Sequence, residues 1–200
     1  MRGRCTVRTV KSIFGEAGLT AKNPQDTRAR ILAAAEELTC EIGPARASLE
    51  AVATRAGVSK GGLLYHFPTK HDLLRALVAG HVDGMERAMG AEAGAGAEPL
   101  AQARAYLRAV RAKLDEQQAP PGLFAAIAED PEFVAPLRAF RQALLERVFR
   151  RCPDPELATV AYLAAEGLVH AKLTDPQAYD PEERGRVFDT LERLLDAPAR

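Results

Sequence analysis

Apolar residues recur three and four apart along most of this chain, and no run alternates with the period of a strand. Ile31, Ala35, Leu38 and Ile42 form one stripe, which predicts a helix over 27–42 with Asp26 as cap and Gly43-Pro44 as stop. Leu49, Val52, Ala53 and Ala56 form a shorter stripe, a helix over 49–56 opened by Ser48. Gly57 follows, where a helix end commonly takes a left-handed residue. Val58 can fill the space between two crossing helices, and Ser59 caps a helix over 60–66. The box Thr69-Lys70-His71-Asp72 starts a helix over 70–89 with Leu74, Leu77, Val78, His81, Met85 and Met89 on one side. Residues 90–98, GAEAGAGAE, read as loop.

Pro99 opens a helix to 118 whose stripe is Leu100, Ala103, Leu107, Val110 and Leu114. Pro120-Pro121-Gly122 breaks the chain before a short apolar segment, LFAAIAE. One punctuation then occurs three times, as Asp130-Pro131-Glu132, Asp154-Pro155-Glu156 and Asp180-Pro181-Glu182. Each sets an acceptor at the cap, proline at the first helical position and a carboxylate where the helix dipole favours it. These are a shared helix-start device rather than an internal repeat, and they predict helices over 131–151, 155–172 and 181–196. The expected fold is all-α with about nine helices.

A hydrophobic fraction of 47% over 200 residues is enough for a substantial core. The zero net charge hides an asymmetry: 1–80 hold 12 Lys+Arg against 7 Asp+Glu, and 81–200 hold 15 against 20. A basic N-terminal part with an acidic remainder suits a chain that offers one end to phosphates. Cys5, Cys40 and Cys152 are odd in number, far apart and free of ligand spacing. Neither a disulfide framework nor a zinc site is indicated, and the expected setting is a reducing cytoplasm. No stretch approaches the ~20 apolar residues of a membrane span, so no membrane partner is expected. His66, His71, His81 and His170 match no HExxH pattern, and neither GxSxG nor a phosphate loop occurs. No catalytic residue, metal or cofactor is expected, and the chain reads as a non-enzyme.

The stretch 48–70, SLEAVATRAGVSKGGLLYHFPTK, has the layout of a helix-turn-helix aimed at duplex DNA. Together with TRARILAAAEELTCEIG before it and the run AGVSKGGLLYHFPTKHDLL, it resembles the N-terminal domain of TetR/AcrR-type transcriptional regulators over 27–74. The resemblance implies that the second short helix enters the major groove while neighbouring helix ends hold the backbone. Lys60, Gly61 and Gly62 would then open the recognition helix behind Ser59, with Lys60 the candidate for a guanine edge and a phosphate contact as its alternative role. The paired glycines allow close approach but give no side-chain hydrogen bond, so readout falls to few side chains, water or DNA shape. Tyr65 and His66 fit backbone contact or packing, Phe67 fits the core, and Lys70 and Ser48 fit phosphates. Leu64 stands where many such proteins carry a phosphate-touching tyrosine, which weakens direct transfer of the contact map.

The remainder resembles the family in architecture, which implies a double-stranded DNA operator, homodimerisation and a small-molecule effector. The expected organisation is a flexible basic extension over 1–25, a DNA-binding domain over 26–72, and a helical effector-binding and dimerisation domain over 73–200. The dimer is expected through helices 155–172 and 181–196, the first offering Ala161, Ala164, Ala165 and Gly167, the second Val187, Leu191, Leu194 and Leu195. An effector pocket would draw on Met85, Met89, Tyr106, Phe124, Phe133, Phe140 and His170. Gly80 and Gly84, each costing about 1 kcal/mol in a helix interior, fit either a helix that bends or shifts when an effector binds or one that packs closely on a neighbour or has drifted neutrally. The resulting expectation is a ligand-responsive homodimeric repressor; the alternative is a helical protein-interaction module that keeps the fold without operator binding. Operator, effector, regulated genes and sign of regulation are not encoded legibly.

Overall fold

The computed structural model describes residues 24–42, 46–115, 132, 135–175 and 177–196. Among them stand eight α-helices and one 3-10 turn, with no strand. In chain order the helices are α1 (Pro24–Ile42), α2 (Leu49–Ala56), α3 (Lys60–His66), α4 (Lys70–Ala93), α5 (Pro99–Asp115), α6 (Ala135–Arg147), α7 (Pro155–Thr174) and α8 (Pro181–Leu195). The 3-10 turn is Phe149–Arg151.

The caps carry most of the punctuation that local sequence dictates. Ser48 Oγ accepts from the Ala51 amide at 3.2 Å, and Ser59 Oγ from the Gly62 amide at 3.0 Å. Thr69 and Asp72 cap α4 reciprocally, each side chain taking the other's backbone amide. Asp154 accepts from the Leu157 amide at 2.9 Å, and Asp180 with Glu183 closes a full capping box at α8. The start proposed at Asp130-Pro131 lies outside the described residues, as do Phe124, Phe133 and the 1–23 part of the extension.

Several boundaries differ from expectation. The first helix begins at Pro24, so Asp26 sits in its first turn rather than at its cap. Proline tolerates that position because the amide it lacks has no helical partner there. Ile42 falls on the last turn and is 42% exposed, while Ile31, Ala35 and Leu38 are buried as the stripe requires. The long helix α4 continues four residues past Met89, through Ala91, Glu92 and Ala93, and stops where Gly94 turns to φ +82°. The helix expected over 131–151 is split: α6 ends at Arg147 and the chain tightens into the 3-10 turn. That break turns Val148 and Phe149 into the core, both buried.

The chain divides into two compact units, which change over inside α4 between Gly84 and Met85 and again inside α6 between Leu137 and Arg138. In the first unit Ile31, Leu32, Ala35 and Leu38 of α1 pack with Val52, Ala53 and Ala56 of α2. Leu63, Phe67, Leu74, Leu77 and Val78 complete that core, with Val58 and Leu64 partly buried against it. In the second unit Tyr106, Leu107, Val110 and Leu114 of α5 pack with Phe149, Tyr162, Phe188, Leu191 and Leu195. Tyr106, Phe149 and Tyr162 form an aromatic triangle with ring centroids 5.1 to 5.7 Å apart.

A polar seam runs along α5 and α8. Arg104 pairs with Asp196, Arg108 with Glu192 at 3.1 Å and Arg111 with Asp189 at 2.6 Å. The sense reverses at the last rung, where Arg184 reaches Asp115 at 3.5 Å and donates to the Tyr179 carbonyl at 2.9 Å. The seam fixes which face of α8 turns toward α5. Within α7, Ala161 and Ala165 are wholly buried in their own unit, because small side chains let the helix sit close on Tyr106 and Phe149. The outward side of α7 therefore shows Val160, Leu163 and Gly167 instead.

Candidate nucleic-acid interface

Two short helices and a tight turn define the candidate site. Gly57 ends α2 in the left-handed region at φ 64°, and its amide donates to the Thr54 carbonyl at 3.2 Å. The Val58 amide reaches back to the Ala53 carbonyl at 3.0 Å, which closes the turn. Arg30 of α1 braces it from outside, with Nη2 donating to the Ala56 carbonyl at 2.6 Å and the Gly57 carbonyl at 3.3 Å. A cation at a helix C-terminus also answers the negative end of the dipole. Arg55 fixes α2 to α1 through Glu41 at 2.7 Å and Glu37 at 3.3 Å. The Arg55 guanidinium holds the Glu41 carboxyl below the usual carboxylate range, and the same hydrogen bond raises Arg55. Neither Arg30 nor Arg55 declares itself in sequence, since each finds partners on another helix.

On this frame α3 presents a small outward face. Lys60 stands exposed at its first position, and exposed Gly61 would place a Cβ in open space. Gly62 is tighter, since a Cβ there would meet Ser59 Oγ at 3.2 Å. Tyr65 is 82% exposed, an aromatic ring standing in water, and its ring meets His66 edge-on at 5.2 Å. His66 and Leu64 are half-buried, Leu64 against the core. Phe67 is buried, with the Arg28 guanidinium over its ring at 5.2 Å. Exposed Ser48 and Ser59 spend their oxygens as cap acceptors; the Ser48 hydroxyl also faces the Glu50 carboxylate, and the Ser59 hydroxyl hydrogen remains to donate. Lys70 stands half-buried at the first position of α4.

One contact was not foreseeable from the motif. Lys60 Nζ hydrogen-bonds Glu50 Oε1 of α2 at 2.5 Å, and both side chains are largely exposed. The Lys60 bond, with smaller contributions from the local backbone and Ser48, holds the Glu50 carboxyl below its usual range. The one available sequence signal is electrostatic: a lysine at a helix N-terminus faces the positive end of the dipole and favours a carboxylate nearby.

Of the described residues proposed for an effector, Met85, Met89, Tyr106 and Phe140 belong to one hydrophobic cluster of the second unit, and His170 stands apart from it. Met85, Met89 and Tyr106 are buried in the core of the second unit, and Phe140 is half-buried against it. The Tyr106 hydroxyl donates to Glu166 Oε1, whose other oxygen pairs with Arg141. His170 is exposed on α7. A shallow surface depression lies elsewhere in that unit, lined by Arg150, Pro155, Glu156 and Thr159. Among the described residues no cluster of three or more His, Cys, Asp and Glu is placed to hold a metal, and no helix is long and apolar enough to cross a membrane.

Comparison with known proteins agrees with this layout. The family model for bacterial regulatory proteins of the tetR family matches residues 31–77. The model for the tetracyclin repressor-like C-terminal domain matches 101–196. The HTH-type transcriptional regulator TtgR of Pseudomonas putida is 41% identical over 59 residues, which are 30% of this chain and 28% of TtgR. The chain thus spans well under half the length of that curated relative. Among solved structures, SCO4454, a TetR-family transcriptional regulator from Streptomyces coelicolor, superposes with a TM-score of 0.67 at 22% identity. The match covers 88% of this chain and 97% of that one. SmeT, solved in complex with triclosan, gives a TM-score of 0.62 at 20% identity over 88% of this chain and 96% of its own. At these identities the structures speak to fold, and the two family models speak to descent: the chain belongs to the TetR family of bacterial regulatory proteins.

Proposed function

We propose that this protein is a transcriptional regulator that binds operator DNA as a homodimer, with α3 of each protomer in a major groove, and releases it when a small molecule binds. The observation that carries the reading is α3 itself, a seven-residue capped helix that follows a turn braced by Arg30 and holds Tyr65 out into solvent. A large aromatic held in water at 82% exposure has no folding rationale, whereas its ring and hydroxyl suit a sugar-phosphate strand. In this reading Ser48, Ser59, Tyr65, His66 and Lys70 position the backbone, Lys60 reads a base edge, and Gly61 and Gly62 permit close approach, with Leu64 supporting from the core side. The protein acts by occupancy in the cytoplasm, excluding polymerase as a repressor, and performs no chemistry.

One short helix spans only a few base pairs, so a second copy is needed for tight, selective binding. The outward face of α7 supports that assembly, with Val160 at 52% and Leu163 at 60% exposure beside Gly167, where no neighbour lies within reach of an added Cβ. The second unit, with its Tyr106–Glu166–Arg141 network and aromatic triangle, is the place for an effector. The SmeT complex with triclosan supports a small apolar molecule as the class to screen first.

The test is fluorescence anisotropy of the purified protein against duplexes enriched from a randomised library, at two salt concentrations. The expected result is tight binding that weakens steeply with salt and is lost by Tyr65→Ala with Lys70→Ala. Failure of a folded dimer to enrich any duplex would refute operator binding and favour a protein-interaction module.

A further inference from the structure

Resting on the reading of α3 as a recognition helix, we propose that Glu50 sets how sharply the protein separates its operator from other DNA, by holding Lys60 in an ion pair that an operator base must replace. Lys60 is the only lysine or arginine in the α3 sequence KGGLLYH, so it dominates the charge that helix brings to a groove. Its ammonium is committed to Glu50 Oε1, ten residues back on α2. The two partners differ in freedom. Glu50 sits in the first turn of α2, where the dipole favours a carboxylate and the Ser48 side chain lies within hydrogen-bonding reach. Lys60 is carried on a flexible four-carbon stem, so it is the partner that swings.

The consequence follows from the sign of DNA. Moving Lys60 off Glu50 exposes a bare carboxylate close to phosphates, which costs free energy on every duplex. A duplex that offers Lys60 a directed pair of acceptors, such as guanine O6 and N7, offsets that cost. A duplex that offers only a diffuse phosphate does so less well, and the pair stays closed. Glu50 therefore disfavours non-cognate DNA more than the operator, which is discrimination by a repulsive element. Neighbouring charge does not duplicate the effect, because Glu37 and Glu41 are both engaged by Arg55.

The experiment compares wild type, Glu50→Gln, Lys60→Met and the double variant on the best library-enriched duplex and on a scrambled duplex of equal length and composition. Glu50→Ala is run in parallel, and circular dichroism melts establish that each variant is folded. Loss of Glu50 is expected to raise affinity for the scrambled duplex by about three- to tenfold and for the enriched duplex by less than about twofold, so the ratio falls. The salt slope on the scrambled duplex should steepen by about 0.9, one phosphate's worth, as Lys60 becomes available. In the Lys60→Met background the Glu50 change should leave the ratio where it was. An unchanged ratio in wild-type background, or an equal fall in the Lys60→Met background, would overturn the proposal, the second by assigning the effect to general repulsion. If wild type enriches no duplex, the operator-binding reading fails and takes this inference with it; discrimination by wild type that Glu50→Gln does not alter defeats this inference alone.

Discussion

Gly57→Ala is the sharpest single perturbation of the DNA-binding unit. Three effects compete. An L-residue at φ 64° costs roughly 1–2 kcal/mol, because its Cβ crowds the backbone there. The added methyl restricts the unfolded chain and returns about 0.4–1 kcal/mol. The third term is local: the new Cβ would lie 3.1 Å from Arg30 Nη2, the atom that donates to the Ala56 carbonyl. Displacing that guanidinium weakens a charge-assisted bond whose loss costs about 1–3 kcal/mol. The balance is a destabilisation of about 1–3 kcal/mol, a five- to 150-fold rise in the opening equilibrium. Hydrogen exchange read on peptides covering α2 and α3 measures it, since the second unit provides an internal reference. Adding Gly57→Ala to Arg30→Met should cost less than adding it to wild type, because the clash is already gone. Exchange within about twofold of wild type, or full additivity with Arg30→Met, would refute the account of the turn.

Phe149→Ala removes a wholly buried ring from the aromatic triangle and should cost about 3–5 kcal/mol in urea unfolding, unfolding the second unit first. At the proposed α7 interface, Leu163→Glu should raise the dimer dissociation constant by at least about a hundredfold in sedimentation, because two copies would each forfeit much of the ~1.5–3 kcal/mol of burying a leucine. Alkaline pH should loosen the second unit. Burial, then Glu166, raises Tyr106 well above its ordinary 10.0 and Tyr162 to about 12. Unfolded tyrosines ionise near 10, so that part of the stability is intact below pH 10 and is lost as pH climbs from there through 12. Thermal melts by circular dichroism across pH 8 to about 12 check the sign, and a midpoint that rises with pH would contradict it.

What was legible in the sequence was whatever a few neighbouring residues decide. Ser48, Ser59, Thr69, Asp154 and Asp180 cap their helices because a cap needs an acceptor and an amide three residues on. Gly57 was legible for the same reason, and the ends of α2 and α3 fell where the caps put them. The extent of α4 was less so: Gly90 looked like a stop, yet Ala91, Glu92 and Ala93 are good helix formers, and Glu92 gains Arg108 as partner at 2.7 Å. The small stripe of α7 was visible, but whether Ala161 and Ala165 face a second copy or their own core depends on which helices surround them.

Partner choice across distant helices was opaque throughout. The seam of Arg104, Arg108 and Arg111 on α5 joins residues 78 to 92 positions apart, and Tyr106 meets Glu166 sixty positions on. The same limit governs the candidate site. Reading the motif alone gives Lys60 to DNA, because its immediate neighbours Ser59, Gly61 and Gly62 show no rival. Folding α2 against α3 supplies one in Glu50, a residue that in sequence looks like an ordinary first-turn carboxylate. The Lys60–Glu50 pair is a property of the fold, and under the proposed competition with a base edge it changes what the lysine is for. A free cation would strengthen contact with any duplex, whereas a cation already paired adds affinity chiefly where the DNA offers something better than the carboxylate it leaves.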